Sequence, residues 1–316
     1  MRTCIIFNPA AKGDKARRFR KHLDDFDCAF KATSGPGDAG RLAAEAVREG
    51  FEIVVAAGGD GTVNEVLNGI AGVPGAFEQS RMGVIPLGTV NVFARELKIP
   101  SGLGRAWNVL EGGHEARIDL PFVDFISKGK MERRYFAQLA GAGLDARAVE
   151  LVHWDLKKKV GALAYVVAGL KALSNPQSPI IVTADAQSVT GELVLVGNGI
   201  LYGGDFRVFP NANLQDGLLE ICVFPKVNWM TLARCGPQLL LLNTLPTASS
   251  TLLRAPTLQL TSTKRTPLEV DGEFVGELPA TFGVRKLGLR VVVPKAFSAT
   301  GSAPEQRNTA CNAAGL

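Results

Sequence analysis

Apolar and polar positions follow two different periods along the first part of the chain. Short apolar runs of strand length occur at residues 4–7, 53–57 and 82–85. Between and after them, apolar residues recur at helical spacing, which predicts helices at residues 14–26, 38–49, 63–70 and 92–97. Alternation of strand and helix is typical of a doubly wound α/β domain with a parallel sheet. We therefore expect an α/β domain over residues 1–119.

Beyond Asp119 the pattern changes to short alternating segments separated by turns. The predicted strands are residues 122–126, 135–139, 180–184, 192–197, 218–224, 257–261, 268–270 and 287–293. Helical insertions are predicted at residues 146–173 and 229–242. Successive antiparallel strands favour a β-sandwich-like domain over residues 120–290, with the C-terminal segment 291–316 as a candidate to complete the first domain. The predicted fold class is α/β plus β.

Composition narrows the range of partners. The chain has 316 residues, 46% of them hydrophobic and 21% charged, and a formal net charge of +5. Its basic residues are scattered, which argues against a nucleic-acid partner and favours an anionic substrate or membrane surface. The five cysteines form no CxxC pair and the N-terminus enters a strand directly, so reduced thiols and a cytoplasmic location are expected.

A glycine-rich turn follows the second apolar run and opens the next helix. It reads Gly58-Gly59-Asp60-Gly61-Thr62, with Asn64 close behind. Unhindered backbone N–H groups at the start of a helix suit a phosphate, so nucleotide binding is the first hypothesis. A carboxylate inside such a turn suggests Mg²⁺ or proton handling. The alternative is a tight strand-to-helix turn in which Asp60 only caps the helix.

Two further segments extend this interpretation. The turn after the third apolar run contains Gly88, Thr89 and Asn91, and a pair of such turns on neighbouring strands would hold a polyphosphate from both sides. Far along the chain, Asp271-Gly272-Glu273 places two carboxylates around a glycine, where a base could sit. The alternative for Asp271-Gly272 is a hairpin turn.

Together these segments resemble the diacylglycerol kinase catalytic-domain family, and most closely its soluble bacterial lipid kinases. The matching residues include Asn8-Pro9, the turn from Gly58 with Asn64-Glu65, Pro86-Leu87-Gly88-Thr89 with Asn91, Asp119, Gly141-Ala142-Gly143, Gly203-Gly204, Asp216-Gly217-Leu218 and Asp271-Gly272-Glu273. The resemblance implies ATP-dependent phosphorylation of a lipid hydroxyl. It also implies a first domain similar to those of NAD kinases and 6-phosphofructokinases.

The resemblance also implies roles for particular residues. ATP would be held by Asn8, Thr33, Gly58, Gly59, Asp60, Gly61, Thr62, Asn64, Gly88, Thr89 and Asn91. Either Asp271 or Glu273 would take the proton from the attacking hydroxyl, and Asp60 and Asp119 would organise catalytic Mg²⁺ through water. A separate structural Mg²⁺ is expected at the Asp216 carboxylate and the backbone carbonyls of Asn213 and Leu218.

One position departs from the family pattern, because Val92 follows Asn91 where the lipid kinases usually have an aspartate. The expected partners are ATP and a diacylglycerol-like membrane lipid, with transient peripheral contact at the inner membrane surface. A contact through Lys157-Lys158-Lys159 is one candidate, and homodimerisation is left open. The competing hypotheses are an NAD kinase-like or other small-molecule kinase and a non-catalytic nucleotide or lipid sensor.

Overall fold

The computed structural model describes residues 2–10, 17, 19–20, 27–144, 146–147, 177–245 and 249–298. Its first half alternates strands and helices. The strands are β1 (Thr3–Phe7), β2 (Ala29–Ala32), β3 (Ile53–Gly58) and β4 (Arg81–Pro86). The helices are α1 (Asp38–Arg48), α2 (Asp60–Ala71), α3 (Ala76–Gln79), α4 (Val92–Glu96) and α5 (Leu103–Gly112).

The second half consists mainly of strands. They are β5 (His114–Ser127), β6 (Lys130–Tyr135), β7 (Leu139–Gly143), β8 (Ile180–Ala184), β9 (Gln187–Gly191), β10 (Leu193–Gly197), β11 (Leu201–Tyr202), β12 (Phe206–Arg207) and β13 (Leu219–Phe224). Helix α6 (Trp229–Leu242) then precedes β14 (Thr251–Ala255), β15 (Thr257–Ser262), β16 (Pro267–Val270), β17 (Glu273–Glu277) and β18 (Ala280–Val293).

Parallel strands in the order β2-β1-β3-β4 form the N-terminal part of the first sheet. All six residues of β3 are buried, because helices cover both faces of the sheet. Helix α1 contributes a row of apolar residues at helical spacing, including Leu42, Ala43 and Ala46, to one of these cores. The carboxyl ends of β3 and β4 therefore lie side by side at one edge, where the two glycine turns begin.

A long antiparallel ribbon of β5 and β18 joins the two halves of the molecule. At one end Val291 of β18 pairs with Met82 of β4, in parallel. At the other end Ala280–Gly283 pairs with β15, which continues to β8 and β9. The pairing shifts register between Arg285 and Leu289, which locally bends the ribbon.

A second sheet, in the order β14-β13-β10-β7-β16-β17, packs on the distal part of the first. Their inner faces share one apolar core that includes Phe136, Phe282 and Ile221. Two sheets packed around one core form a sandwich, so the predicted fold class is confirmed.

Several individual elements differ from the sequence-based predictions. The strand predicted at 135–139 is wrong, since β6 ends at Tyr135 and β7 begins at Leu139. The predictions also missed β2, β6, β9, β11, β12, β14, β17, α3 and α5. The insertion predicted at 146–173, the lysines at 157–159, most of the helix predicted at 14–26 and nearly all of the tail from 298 onward lie outside the described residues.

Candidate active site

The two glycine turns are in direct backbone contact. The N–H groups of Leu87 and Gly88 donate to the Gly58 carbonyl oxygen at 2.9 and 3.2 Å. A Cβ atom added to Gly88 would lie 2.5 Å from the Gly59 Cα, so a side chain there would force the turns apart. Asn91 closes the second turn, because its Nδ2 donates to the Gly88 carbonyl oxygen at 2.7 Å and its Oδ1 accepts from the Gly88 N–H at 2.9 Å.

This arrangement places two helix N-termini at one edge of the sheet. Helix α2 begins at Asp60 with Gly59 as its N-cap, and α4 begins at Val92 with Asn91 as its N-cap. Neither cap residue makes a side-chain capping bond. The first N–H groups of α2, together with its dipole, can attract an anion, whereas the start of α4 already donates to the Asp60 carboxylate. Thr89, in the second turn, is exposed to solvent.

Asp60 couples the two helices. Its Oδ1 accepts a hydrogen bond from the Phe93 N–H at 3.3 Å, so it caps α4 as well as opening α2. Burial raises the pKa of the Asp60 carboxyl, the Phe93 amide acts in the opposite direction, and the negative charge of Asp271 raises it further. Asp60 therefore caps a helix, as the alternative expects, and its carboxyl also responds to the charge of Asp271 from the other half of the chain.

Asn8 and Thr33 lie at the ends of the adjacent strands. Asn8 Nδ2 donates to Thr62 Oγ1 at 3.3 Å, and the Asn8 N–H donates to the Ala57 carbonyl oxygen at 3.1 Å. The Thr33 N–H donates to the Phe7 carbonyl oxygen at 2.9 Å. Both residues thus border the edge of the sheet from which the first glycine turn emerges.

The β16–β17 hairpin brings Asp271 onto helix α2. Asp271 and Gly272 have φ values of 47° and 81°, typical of a type I′ turn, so the hairpin turn is present as well as the acid pair. Asp271 Oδ2 accepts from Asn64 Nδ2 at 2.7 Å and from the Ala137 N–H at 2.8 Å. Its Oδ1 accepts from the N–H groups of Gln138 and Leu139 at 3.0 and 3.1 Å.

Four donors therefore surround one half-buried carboxylate. Burial raises the pKa of Asp271, while the Ala137 amide, Asn64 and the other donors act in the opposite direction. Hydrogen bonds of this kind favour the charged form and leave little freedom to the side chain. Asp271 consequently clamps the β6–β7 connection to α2.

Glu273 reaches the glycine turn directly. A Cβ atom added to Gly61 would lie 3.2 Å from Glu273 Oε1, so the carboxylate rests against the first turn of α2. Its Oε2 lies 3.8 Å from Arg134 Nη2, and 41% of the side chain is exposed. Unlike Asp271, Glu273 thus combines proximity to the glycine turn with access to solvent.

Asp119 lies in a different cluster, with the loop of residues 213–218. Its Oδ2 accepts from the Gly217 N–H at 2.6 Å and its Oδ1 from the Leu287 N–H at 2.7 Å. Burial raises its pKa, these two amides act in the opposite direction, and the charge of Asp216 raises it again. The structure thus gathers Asp60, Asp271 and Glu273 together and places Asp119 with Asp216.

Two residues with no role assigned from the sequence support the site. Asn68, one turn after Asn64 on α2, forms a paired amide contact with the backbone of Tyr135, at 2.9 Å in each direction. Glu65 accepts from the N–H groups of Gly37 and Ala39 at 3.0 Å and so fixes the start of α1. The sequence could have indicated Asn68, because it lies four residues after Asn64 and residues four apart share a helix face.

The described residues contain neither a cluster of metal-ligating side chains nor a membrane-spanning helix. Over the described parts of the chain, His, Cys, Asp and Glu side chains form no group of three or more that could hold a metal ion. Within the same residues, every helix is too short or too polar to cross a bilayer.

Comparison with known proteins identifies the family. Residues 2–123 match the diacylglycerol kinase catalytic domain, and residues 138–298 match the YegS C-terminal NAD kinase beta sandwich-like domain. A diacylglycerol kinase of Staphylococcus carnosus (strain TM300) is 32% identical, with 93% of this chain and 95% of that protein aligned. The corresponding protein of Staphylococcus haemolyticus (strain JCSC1435) is 33% identical, with 93% and 89% aligned. The chain belongs to the diacylglycerol kinase family.

Solved structures support the same fold for this diacylglycerol kinase family member. A crystal structure of a diacylglycerol kinase from Bacillus anthracis strain Sterne aligns with a TM-score of 0.69 and 21% identity, over 94% of this chain and 98% of that one. A second structure from the same organism has a TM-score of 0.75 and 23% identity, over 93% and 98%. The family is one of lipid kinases, so the chain is a lipid kinase that carries the family's kinase catalytic domain.

The raised pKa of Asp60 leads to a stability prediction for this family member. A raised carboxyl pKa means that the folded state binds the proton more tightly than the unfolded state, so ionised Asp60 lowers stability at neutral pH. We expect Asp60→Asn to raise the free energy of unfolding by about 0.5–2 kcal/mol at pH 7. The gain in stability should shrink as the pH falls toward the ordinary carboxyl pKa of 3.8. Urea denaturation at pH 7 and near that lower pH measures the free energy of unfolding under each condition. An unchanged or lowered stability at pH 7 would contradict the prediction.

Proposed function

We propose that the chain transfers the γ-phosphoryl group of ATP, with Mg²⁺, to the hydroxyl of a diacylglycerol-like membrane lipid. The observation that carries the proposal is the position of Glu273 against Gly61, since it joins an acid of the β-rich half to the anion-binding turn of the α/β half. The names of the staphylococcal relatives support a diacylglycerol acceptor.

The nucleotide would occupy the edge of the sheet where the glycine turns meet. Backbone N–H groups of the first glycine turn and the start of α2 would contact its phosphate oxygens, and Thr89 and Asn8 would contribute side-chain contacts at either side. Phosphoryl transfer depends mainly on positioning and charge neutralisation. Fixed backbone amides would therefore supply most of the phosphate positioning that the α/β half contributes.

Glu273 is our candidate for the general base. It can turn toward an incoming hydroxyl because part of it is exposed, whereas both oxygens of Asp271 are occupied by four donors. The hydroxyl proton would pass to Glu273 as the lipid oxygen bonds to the γ-phosphorus. The bond from that phosphorus to the β–γ bridging oxygen breaks, and ADP leaves with the electron pair.

We include a Mg²⁺ ion beside Asp60 in the proposal. The negative charge of Asp271 contributes to the raised pKa of Asp60, and a divalent cation there would offset that charge. When bound, Mg²⁺ would neutralise charge on the phosphate oxygens. Asp60 would hold it through water, while Asp271 keeps Asn64 and the β6–β7 connection in place.

A lipid-panel assay tests this function. The full chain would be incubated with γ-labelled ATP and vesicles that contain diacylglycerol, monoacylglycerol, a sphingoid base, ceramide or phosphatidylglycerol, with Mg²⁺ and with EDTA. We expect label in the organic phase with diacylglycerol and Mg²⁺ only. Label that appears solely in soluble products, for example with NAD as acceptor, would instead indicate a small-molecule kinase. No transfer to any acceptor would indicate a sensor.

Helix α6 supports contact with the membrane that supplies this substrate. Among its described side chains, the large apolar groups Trp229, Met230, Leu241 and Leu242 are exposed, at 58%, 63%, 80% and 66%. Exposed Lys226 and Arg234 lie beside them in sequence. Apolar side chains with flanking basic residues are typical of helices that rest on an anionic bilayer. The protein would thus act as a peripheral enzyme at the inner membrane surface.

The contact can be tested with Leu241→Ser/Leu242→Ser. Since the exposed leucines would insert among acyl chains, binding to phosphatidylglycerol vesicles should weaken by roughly tenfold. Sedimentation with vesicles measures the bound fraction, and turnover of detergent-dispersed lipid should stay unchanged. Ile181→Ser, which alters an exposed aliphatic side chain on β8, is the matched control. Equal vesicle binding by the double variant and the control would exclude α6 as the contact surface.

A further inference from the structure

Arg254 lies beside the loop of residues 213–218. It projects from β14, directly opposite Glu220 of β13. Its Nε donates to Glu220 Oε1 at 2.6 Å, and its Nη2 donates to Asp216 Oδ2. The other oxygen of Asp216 accepts from the Leu218 N–H at 2.9 Å. One guanidinium therefore joins the loop to two adjacent strands of the second sheet.

The resemblance to the lipid kinases predicts a structural Mg²⁺ at this loop, and the side chains present do not fit it. Both oxygens of the Asp216 carboxylate already accept hydrogen bonds, one of them from a cation. Asn213 and Leu218 would contribute only neutral backbone carbonyls, so Asp216 is the one charged ligand of the expected site. A hard divalent cation needs several oxygens directed at it, and it would be repelled by a guanidinium bound to the same carboxylate.

Two cations of the chain itself offset part of the negative charge of three acids at this loop. Asp119, Asp216 and Glu220 contribute negative charge, and burial raises the pKa of Glu220 while the charge of Arg254 lowers it. Arg254 and Lys286 contribute positive charge. Lys286 packs over Gly217, with its Cδ 3.0 Å from where a Cβ would lie.

We propose that the Arg254 guanidinium replaces the structural divalent cation, so that this chain holds residues 213–218 without metal. Arg254 is then a positioning residue. The loop fixes Asp119 through the Gly217 N–H, and the Asp119 carbonyl oxygen accepts from Asn198 Nδ2 at 3.3 Å. Asn198 Nδ2 also lies 3.4 Å from the carbonyl oxygen of Ala137, the residue whose N–H binds Asp271. The proposal is independent of the kinase reaction.

Thermal unfolding of the full chain without nucleotide or lipid tests the replacement. The Tm of the unaltered chain should be the same in excess EDTA and in millimolar MgCl2. Arg254→Ala should lower the Tm by about 4–8 °C, because it leaves the mostly buried Glu220 without its cation. Mg²⁺ should then restore several degrees to this variant, and Arg254→Lys should retain most of the original Tm.

The control is Arg41→Ala, which removes an exposed ion pair with Glu45 on α1 and should shift the Tm by about 1–2 °C at most. The proposal is overturned if the unaltered chain loses stability in EDTA and Asp216→Asn abolishes that response. It is also overturned if Arg254→Ala matches the control, or if Mg²⁺ fails to raise its Tm. Should Arg254→Ala not fold, Arg254→Lys and the unaltered chain in EDTA decide the question. Because no phosphoryl transfer is measured, failure here is separate from failure of the proposed reaction.

Discussion

Glu273→Gln should lower kcat by about 10²–10⁴-fold, the contribution that general-base catalysis typically makes. The substitution removes the proton acceptor beside Gly61 but keeps the shape of the side chain. ATP binding should remain, because the glycine turns supply the proposed phosphate contacts. Initial rates with labelled ATP and diacylglycerol vesicles, together with nucleotide binding by calorimetry, separate the two effects.

Glu277→Gln is the matched control, since Glu277 ends the same strand and pairs with Arg265 at 2.8 Å. We expect it to leave kcat unchanged. Full activity in Glu273→Gln would show that Glu273 is not the base.

Asp271→Asn should differ from Glu273→Gln in its effect on stability. An asparagine amide group would face N–H donors that now bind a carboxylate oxygen, so one or more of them would lose its acceptor. We expect the free energy of unfolding to fall by about 2–4 kcal/mol, along with activity. Chemical denaturation measures the free energy of unfolding. A stable but inactive Asp271→Asn variant would favour Asp271 as the base.

Gly88→Ala should lower kcat/KM for ATP by about 10–100-fold, because the new methyl group must push the two glycine turns apart. The expected contact of 2.5 Å involves the Gly59 Cα, which is backbone and cannot rotate away. The displaced N–H groups would no longer converge on one phosphate. Steady-state kinetics at varied ATP concentration check the loss.

Gly104→Ala is the control for this effect. A Cβ at Gly104 of α5 meets nothing within 4 Å, so activity should be unchanged. Equal ATP kinetics in Gly88→Ala and Gly104→Ala would mean that the contact between the turns is not needed for nucleotide binding.

The sequence predicted those parts of the fold that depend on local pattern. The buried strand β3 and the glycine turn after it follow from six consecutive apolar or small residues and the glycines at a helix start. Helix α1 was also predicted to within a residue at its C-terminal end, because its apolar positions recur at helical spacing. The convergence of the two glycine turns was also predictable, because the carboxyl ends of neighbouring parallel strands lie at the same edge of a sheet.

Long-range contacts account for most of what was missed. Residues 135–139 have the composition of a strand, yet the N–H groups of Ala137 and Gln138 bind Asp271 in place of a neighbouring strand. The bend in β18 was not predictable from the sequence either, because the Leu287 N–H donates to Asp119, which lies 168 positions away. No local pattern specifies such partners.

The position of Glu273 over Gly61 belongs to the same class of contact. Its neighbours in sequence predict only a hairpin, and the contact exists because β16 pairs with β7 of the second sheet. The family resemblance supplied both acids of the pair, and only the structure distinguishes the enclosed Asp271 from the accessible Glu273.

The most direct test of the account is a crystal structure of the chain with Mg²⁺ and a non-hydrolysable ATP analogue. We predict that the terminal phosphate lies between the turns at Gly59 and Gly88, with the Glu273 carboxylate facing it from the β-rich half. A nucleotide bound with its terminal phosphate away from these turns, or with Glu273 remote from that phosphate, would contradict the shared site on which the proposed reaction depends.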